Sequence, residues 1–117
     1  MKIKLIFIFS ILLIFTGCGK KYSITPDRLP TAYVNQEYEQ TIKISGGKVV
    51  DQYAKLDTNI PKDLGIVVQP INNLDGYNIL EVKGTPIYKG KYTITIKADF
   101  FGGGGANINK TYTFKVE

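Results

Sequence analysis

Cys18 is the single cysteine of this 117-residue chain, and the chain contains no histidine. Without histidine, the commonest general acid–base near neutral pH and the commonest metal ligand are both missing. A Ser-His-Asp or Cys-His mechanism cannot be assembled, nor can an ordinary zinc site. The carboxylates Asp51, Asp57, Asp63, Asp75, Glu81 and Asp99 are spread along the chain. Calcium requires about six to eight converging oxygens, and Asn72, Asn73 and Asp75 read as a turn rather than as ligands. A carboxylate pair for glycoside hydrolysis is open to any fold, but no segment here marks a substrate cleft. The expectation is a non-enzyme with no cofactor and no metal. The chemistry left to Cys18 is set by what precedes it.

Before Cys18 the chain reads Met1-Lys2-Ile3-Lys4, then an apolar run from Leu5 to Phe15 broken only by Ser10, then Thr16-Gly17. A basic start, an apolar middle and small residues before a cut are the layout of an export signal. A transmembrane anchor needs roughly 20 apolar residues, and this run is shorter. The quartet Phe15-Thr16-Gly17-Cys18 resembles a bacterial lipobox, with Phe15 in place of the usual leucine. That resemblance implies cleavage before Cys18 and lipid on its sulfur, which would then be a thioether. A plain cleaved signal would leave the cysteine at this spacing unexplained. Gly19, where retained lipoproteins carry aspartate, implies the outer membrane in a Gram-negative host. In any other host it implies the outer face of the plasma membrane.

Three segments follow from this reading: a signal-peptide helix over 1–17, the lipidated cysteine and a short tether over 18–25, and a domain over 26–117. Loss of the leader leaves 100 residues, enough for one small domain. The net charge of +5 falls to +3 as Lys2 and Lys4 leave. The remaining lysines are scattered among acids, with pairs only at Lys20-Lys21 and Lys89/Lys91. No basic stripe of the kind that neutralises phosphates is present, so nucleic acid is not an expected partner. The balance suits solubility and mild attraction to an anionic membrane. With its one thiol lipidated, the mature domain must be held together by packing alone.

From Glu37 onward the pattern has a period of two. Tyr38, Gln40, Ile42 and Ile44 alternate with Glu39, Thr41 and Lys43; Tyr92, Ile94, Ile96 and Ala98 alternate with Thr93, Thr95, Lys97 and Asp99; Tyr112, Phe114 and Val116 alternate with Thr113 and Lys115. Such alternation marks strands with one buried and one wet face. Strands are predicted near 22–28, 37–45, 51–57, 65–70, 77–84, 91–100 and 107–117, with a single helical turn near Pro61-Lys62-Asp63-Leu64. Asp75-Gly76 predicts a tight hairpin. Ile66-Val67-Val68 reads as a core strand, or as an edge strand that Pro70 ends. Tyr92 reads as a tyrosine corner. The expected fold is an all-β antiparallel sandwich of about seven strands.

The series Leu29-Pro30-Thr31-Ala32-Tyr33-Val34-Asn35-Gln36-Glu37-Tyr38, followed by Gln40-Thr41 and Ser45-Gly46-Gly47, resembles the opening of immunoglobulin-like repeats in bacterial surface proteins. Ile60-Pro61-Lys62-Asp63-Leu64-Gly65, Gly84-Thr85-Pro86 with Gly90-Lys91-Tyr92-Thr93, and Lys110-Thr111-Tyr112-Thr113-Phe114 are similar to later signatures of that family. The resemblance spans 29–117 and implies an immunoglobulin-like sandwich.

Phe100-Phe101 followed by Gly102-Gly103-Gly104-Gly105 is the candidate partner contact. Alternation turns Phe100 inward and Phe101 outward, beside a four-glycine loop. A plainer reading folds Phe101 over the end of the sandwich. The expected function is a lipid-anchored, non-catalytic module that binds a protein or a glycan at the cell envelope. An accessory subunit of an envelope or secretion assembly, or a small exclusion or inhibitor lipoprotein, is the alternative.

Overall fold

The computed structural model describes residues 22–117. Cys18, the leader 1–17 and the start of the expected tether lie outside the described residues. Seven strands form two antiparallel sheets. In chain order they are β1 (Ser23–Thr25), β2 (Tyr38–Ser45), β3 (Lys55–Thr58), β4 (Ile66–Pro70), β5 (Ile79–Gly84), β6 (Gly90–Asp99) and β7 (Asn107–Val116). One sheet has the order β1-β2-β5-β4 and the other β3-β6-β7. The only helical pieces among the described residues are 3₁₀ turns at Asp51–Tyr53, Lys62–Leu64 and Gly76–Asn78.

The inward positions of the alternating runs make the core. Ile42, Ile44, Leu80 and Val82 from the first sheet face Ile94, Ile96, Ala98, Tyr112, Phe114 and Val116 from the second, and all are buried. Burying each large apolar side chain contributes roughly 1.5–3 kcal/mol. Tyr38 meets Phe114 edge-on across the sheets, with ring centroids 5.1 Å apart, a favoured aromatic geometry. The outward face of the long strands is mainly Thr, Lys, Glu and Asn in water.

The chain before β2 serves both sheets. β1 pairs with β2, Ser23 opposite Ser45. The chain then crosses over, and Ala32 pairs in parallel with Val116 of β7. There the Ala32 amide donates to the Lys115 carbonyl at 2.8 Å, and the Glu117 amide donates to the Ala32 carbonyl at 2.9 Å. The crossover itself is held by two core tyrosines. The Tyr112 hydroxyl donates to the Pro26 carbonyl at 2.6 Å, and the Tyr38 hydroxyl donates to the Pro30 carbonyl at 2.8 Å. Lys110 adds an ion pair to Asp27 at 3.1 Å; its hydrogen bond and charge hold the Asp27 carboxyl below its ordinary range.

Several expectations change in detail. Ser23–Thr25 belongs to the sheet rather than to the expected tether. That first strand stops at Thr25 because Pro26 has no N–H to continue the ladder. Residues 51–53 form a turn, since the Asp51 carboxylate accepts the Tyr77 amide at 3.0 Å and bends the chain before β3. Asp75-Gly76 is not a tight hairpin; it sits in a longer connection between β4 and β5. β4 lies at a sheet edge, with Ile66 buried, Val67 exposed and Pro70 last. The Tyr92 hydroxyl makes no hydrogen bond among the described residues; Tyr112 and Tyr38 tie the backbone instead. The turn at Lys62–Leu64 forms as predicted, and Gly65 after it takes φ 98°, a left-handed value that suits glycine.

Tyr112→Phe should cost about 1 kcal/mol, read by urea denaturation, because the part-buried Pro26 carbonyl loses its donor. Alkaline pH gives a second measurement. Burial pushes both the Tyr38 and Tyr112 phenols up to about 12, above the ordinary value of about 10. Between these values the native state keeps protons that the unfolded chain has released. Stability is therefore full below about pH 10 and falls as the pH rises through about 12. A melting temperature that is flat from about pH 9 to about pH 11.5 would refute this.

Candidate binding surface at the loop end of the sandwich

β1 begins, β2 ends, β6 ends and β7 begins at the same end of the sandwich. Three connections gather there: 46–54, 71–78 and 100–106. The first and third are joined backbone to backbone. Val49 bridges Phe100, the Phe101 amide donates to the Lys48 carbonyl at 3.0 Å, and the Val50 amide donates to the Asp99 carbonyl at 2.9 Å.

Tyr22, just before β1, closes this end. Its ring stacks on Phe100 with centroids 3.8 Å apart and planes 17° apart. Phe100 is only 6% exposed. It was expected to share the contact with Phe101, but it belongs to the core. The Tyr22 hydroxyl is buried with no hydrogen-bond partner among the described residues. The stack and the buried ring area outweigh that cost, since an aromatic pair contributes about 0.5–1.5 kcal/mol beyond its area. Two glycines make room for it. A Cβ on Gly47 would sit 2.8 Å from the Tyr22 ring, and one on Gly103 would press on both Phe100 and the Tyr22 hydroxyl. Phe101 turns outward and is 62% exposed.

Asn78 staples the 71–78 connection to the 46–54 connection. Its amide nitrogen donates to the Ile44 and Gly47 carbonyls at 3.0 and 2.8 Å, and its oxygen accepts the Val49 amide at 3.0 Å. Lys48 adds a bond to the Asp75 carbonyl at 3.1 Å and an ion pair with Asp51 at 3.6 Å. At the tip of 71–78, the Asn72 side chain accepts the Asp75 amide at 2.7 Å. This side-chain-closed turn leaves Leu74 at 86% exposure. Ile71 and Tyr53 are also exposed here. Four of the seven exposed large hydrophobic side chains thus lie at or beside one end.

The carboxylates at this end are engaged by neighbours. Asp51 is occupied by Tyr77 and Lys48, and Asp75 by Asn72. No group of three Asp, Glu, Cys or His side chains gathers among the described residues. A groove between the two connections is lined by Lys43, Ser45, Lys48, Leu74 and Asn78. A second, polar hollow lies on the β3-β6-β7 sheet, lined by Tyr53, Lys55, Lys97, Asn107 and Asn109. Alternation places Phe101 outward, as the structure has it, but does not reveal the parts that Tyr22, Asn78 and Leu74 play at this end. The Asn72–Asp75 turn chemistry was a signal for an exposed residue between them; nothing local marks Asn78.

Asn78→Ala should lower stability by roughly 1–3 kcal/mol, because it strands one amide and two carbonyls at once. Leu74→Ser should stay within about 0.5 kcal/mol of the parent, as an exposed substitution does. Thermal melts of the two variants side by side check this. Equal losses would sink the assignment of Asn78 as the staple.

No protein-family profile matches the chain, and no curated protein does. Solved structures similar to it include the methionine-rich copper resistance protein PcoC from Escherichia coli, at 17% identity and a TM-score of 0.45, covering 74% of this chain and 87% of that one. Another is the SrpA adhesin from Streptococcus sanguinis, at 20% identity and a TM-score of 0.49. That alignment covers 85% of this chain and 57% of the adhesin chain.

Proposed function

We propose that this protein is an exported, lipid-anchored, non-catalytic module that binds a protein or a glycan at the cell envelope. The anchor is the lipid on Cys18, and the binding domain is immunoglobulin-like. The strand order β1-β2-β5-β4 against β3-β6-β7 matches the ABED and CFG sheets of constant-type immunoglobulin domains. The split first strand, paired with β2 and then with β7, supports the same assignment. One observation carries the binding role: exposed large hydrophobic side chains sit on connections and on one sheet edge. Leu74 and Phe101 lie at the loop end, Tyr33 and Ile87 at the other, and Val67 on the β4 edge. Rigid scaffolds commonly place recognition on such loops. Tyr33, Ile87 and Val67 lie away from the anchored end, where an envelope partner would reach them.

The test is crosslinking in intact cells that express the tagged full chain, with radiolabelled palmitate, followed by recovery from membranes. The wild type should carry palmitate and bring down one dominant envelope component; Cys18→Ala should lose both. A wild-type chain without palmitate would overturn the anchor, and recovery of no protein or glycan would overturn the binding role.

A further inference from the structure

We propose that the loop end of the sandwich seats on the bilayer, with Leu74 and Phe101 entering the lipid interface. This rests on the lipid anchor at Cys18 proposed above. Tyr22 is already docked on Phe100, so the chain is committed to this end of the domain from Tyr22 onward. Cys18 is four residues upstream. At about 3.3–3.6 Å per residue, that stretch reaches about 14 Å at most. A lipid on Cys18 therefore holds the loop end, and no other part of the domain, against the membrane surface.

The loop tips suit that position. Ile71-Asn72-Asn73-Leu74 and Phe101 to Ala106 carry no charged side chain, so the tips themselves bring no charge into the interface; Lys48 and Asp51 at this end are paired with each other at 3.6 Å, and Asp75 follows Leu74. Leu74 and Phe101 are already exposed, at 86% and 62%. The glycines of 102–105 hold no side chain between the backbone and the headgroups. Lys20 and Lys21 precede Tyr22 in the sequence, and their charge favours an anionic membrane surface. Interfacial segments sink apolar side chains about 5–10 Å into the headgroup and acyl boundary, a depth that the short link permits. The opposite end, with Tyr33 and Ile87, faces away. Ile87 is fixed there by its amide bond to the Leu64 carbonyl at 3.0 Å.

The experiment uses the lipidated full chain, purified from membranes and reconstituted in vesicles of phosphatidylethanolamine and phosphatidylglycerol. Leu74→Cys, Phe101→Cys and Ile87→Cys are each labelled with a polarity-sensitive dye. With Cys18 blocked as a thioether, the new thiol is the only one to react. Brominated acyl chains then report depth. Dyes at 74 and 101 should shift to the blue and be quenched, and the dye at 87 should do neither. If all three behave alike while palmitate is present on Cys18, this inference falls and the anchor stands. If palmitate is absent, both fall. Shielding of 74 and 101 in intact cells without quenching in vesicles would assign the loops to a protein and overturn the lipid contact. Should Phe101→Cys disturb the loop, Leu74→Cys carries the test from a fully exposed position.

Discussion

Two tyrosine hydroxyls, one from each sheet, hold the segment that joins the sheets. Tyr38 and Tyr112 point from the core toward the Pro30 and Pro26 carbonyls. A crossover that leaves one sheet for the other must break its ladder, and the carbonyls freed there need donors. Pro26 and Pro30 have no N–H, so at those two residues only the carbonyl remains to be met. Everything upstream depends on this tie. It lets a three-residue β1 stay on β2, and β1 sets where the chain departs from the domain.

A domain of this size without disulfides has a thin margin of stability. Side-chain hydrogen bonds to the backbone gather where regular ladders end: the crossover takes two tyrosines, and the loop end takes Asn78, Asp51 and Lys48. Within the sheets apolar alternation dominates, joined by exposed cross-strand bonds from Gln69 to Glu81 and between Thr95 and Thr111. An apolar loop already held by such bonds loses less entropy when it meets a partner.

The sandwich was legible in the chain because each long strand buries one face. Ile42 and Ile44, Ile94 and Ile96, and Phe114 and Val116 alternate with Thr and Lys at a period that only a half-buried strand needs. β4 was harder, since Ile66-Val67-Val68 is a continuous apolar run that fits a central or an edge position equally. The connections were legible only in part. Asn72 to Asp75 announced a turn, but Asp51 bends the chain through a partner 26 residues away, and Asn78 reaches back 34 residues to Ile44. Such long-range bonds leave no local pattern. Tyr92 was chosen as the backbone tie for its place after Gly90. The ties went to Tyr112 and Tyr38, whose hydroxyls lie under the prolines of the crossover.

The docking of Tyr22 also decides how the domain would bear load. A pull between an anchored N-terminus and a partner at the far end runs along the strands. In an antiparallel pair the hydrogen bonds lie across that direction, so β1 and β2 are sheared rather than unzipped. The bonds must then fail together with the Tyr22 stack, the Ala32 bridge and both tyrosine ties. Under such a pull the short first strand would act as a clamp, with the Tyr22 stack on Phe100 as its outermost contact.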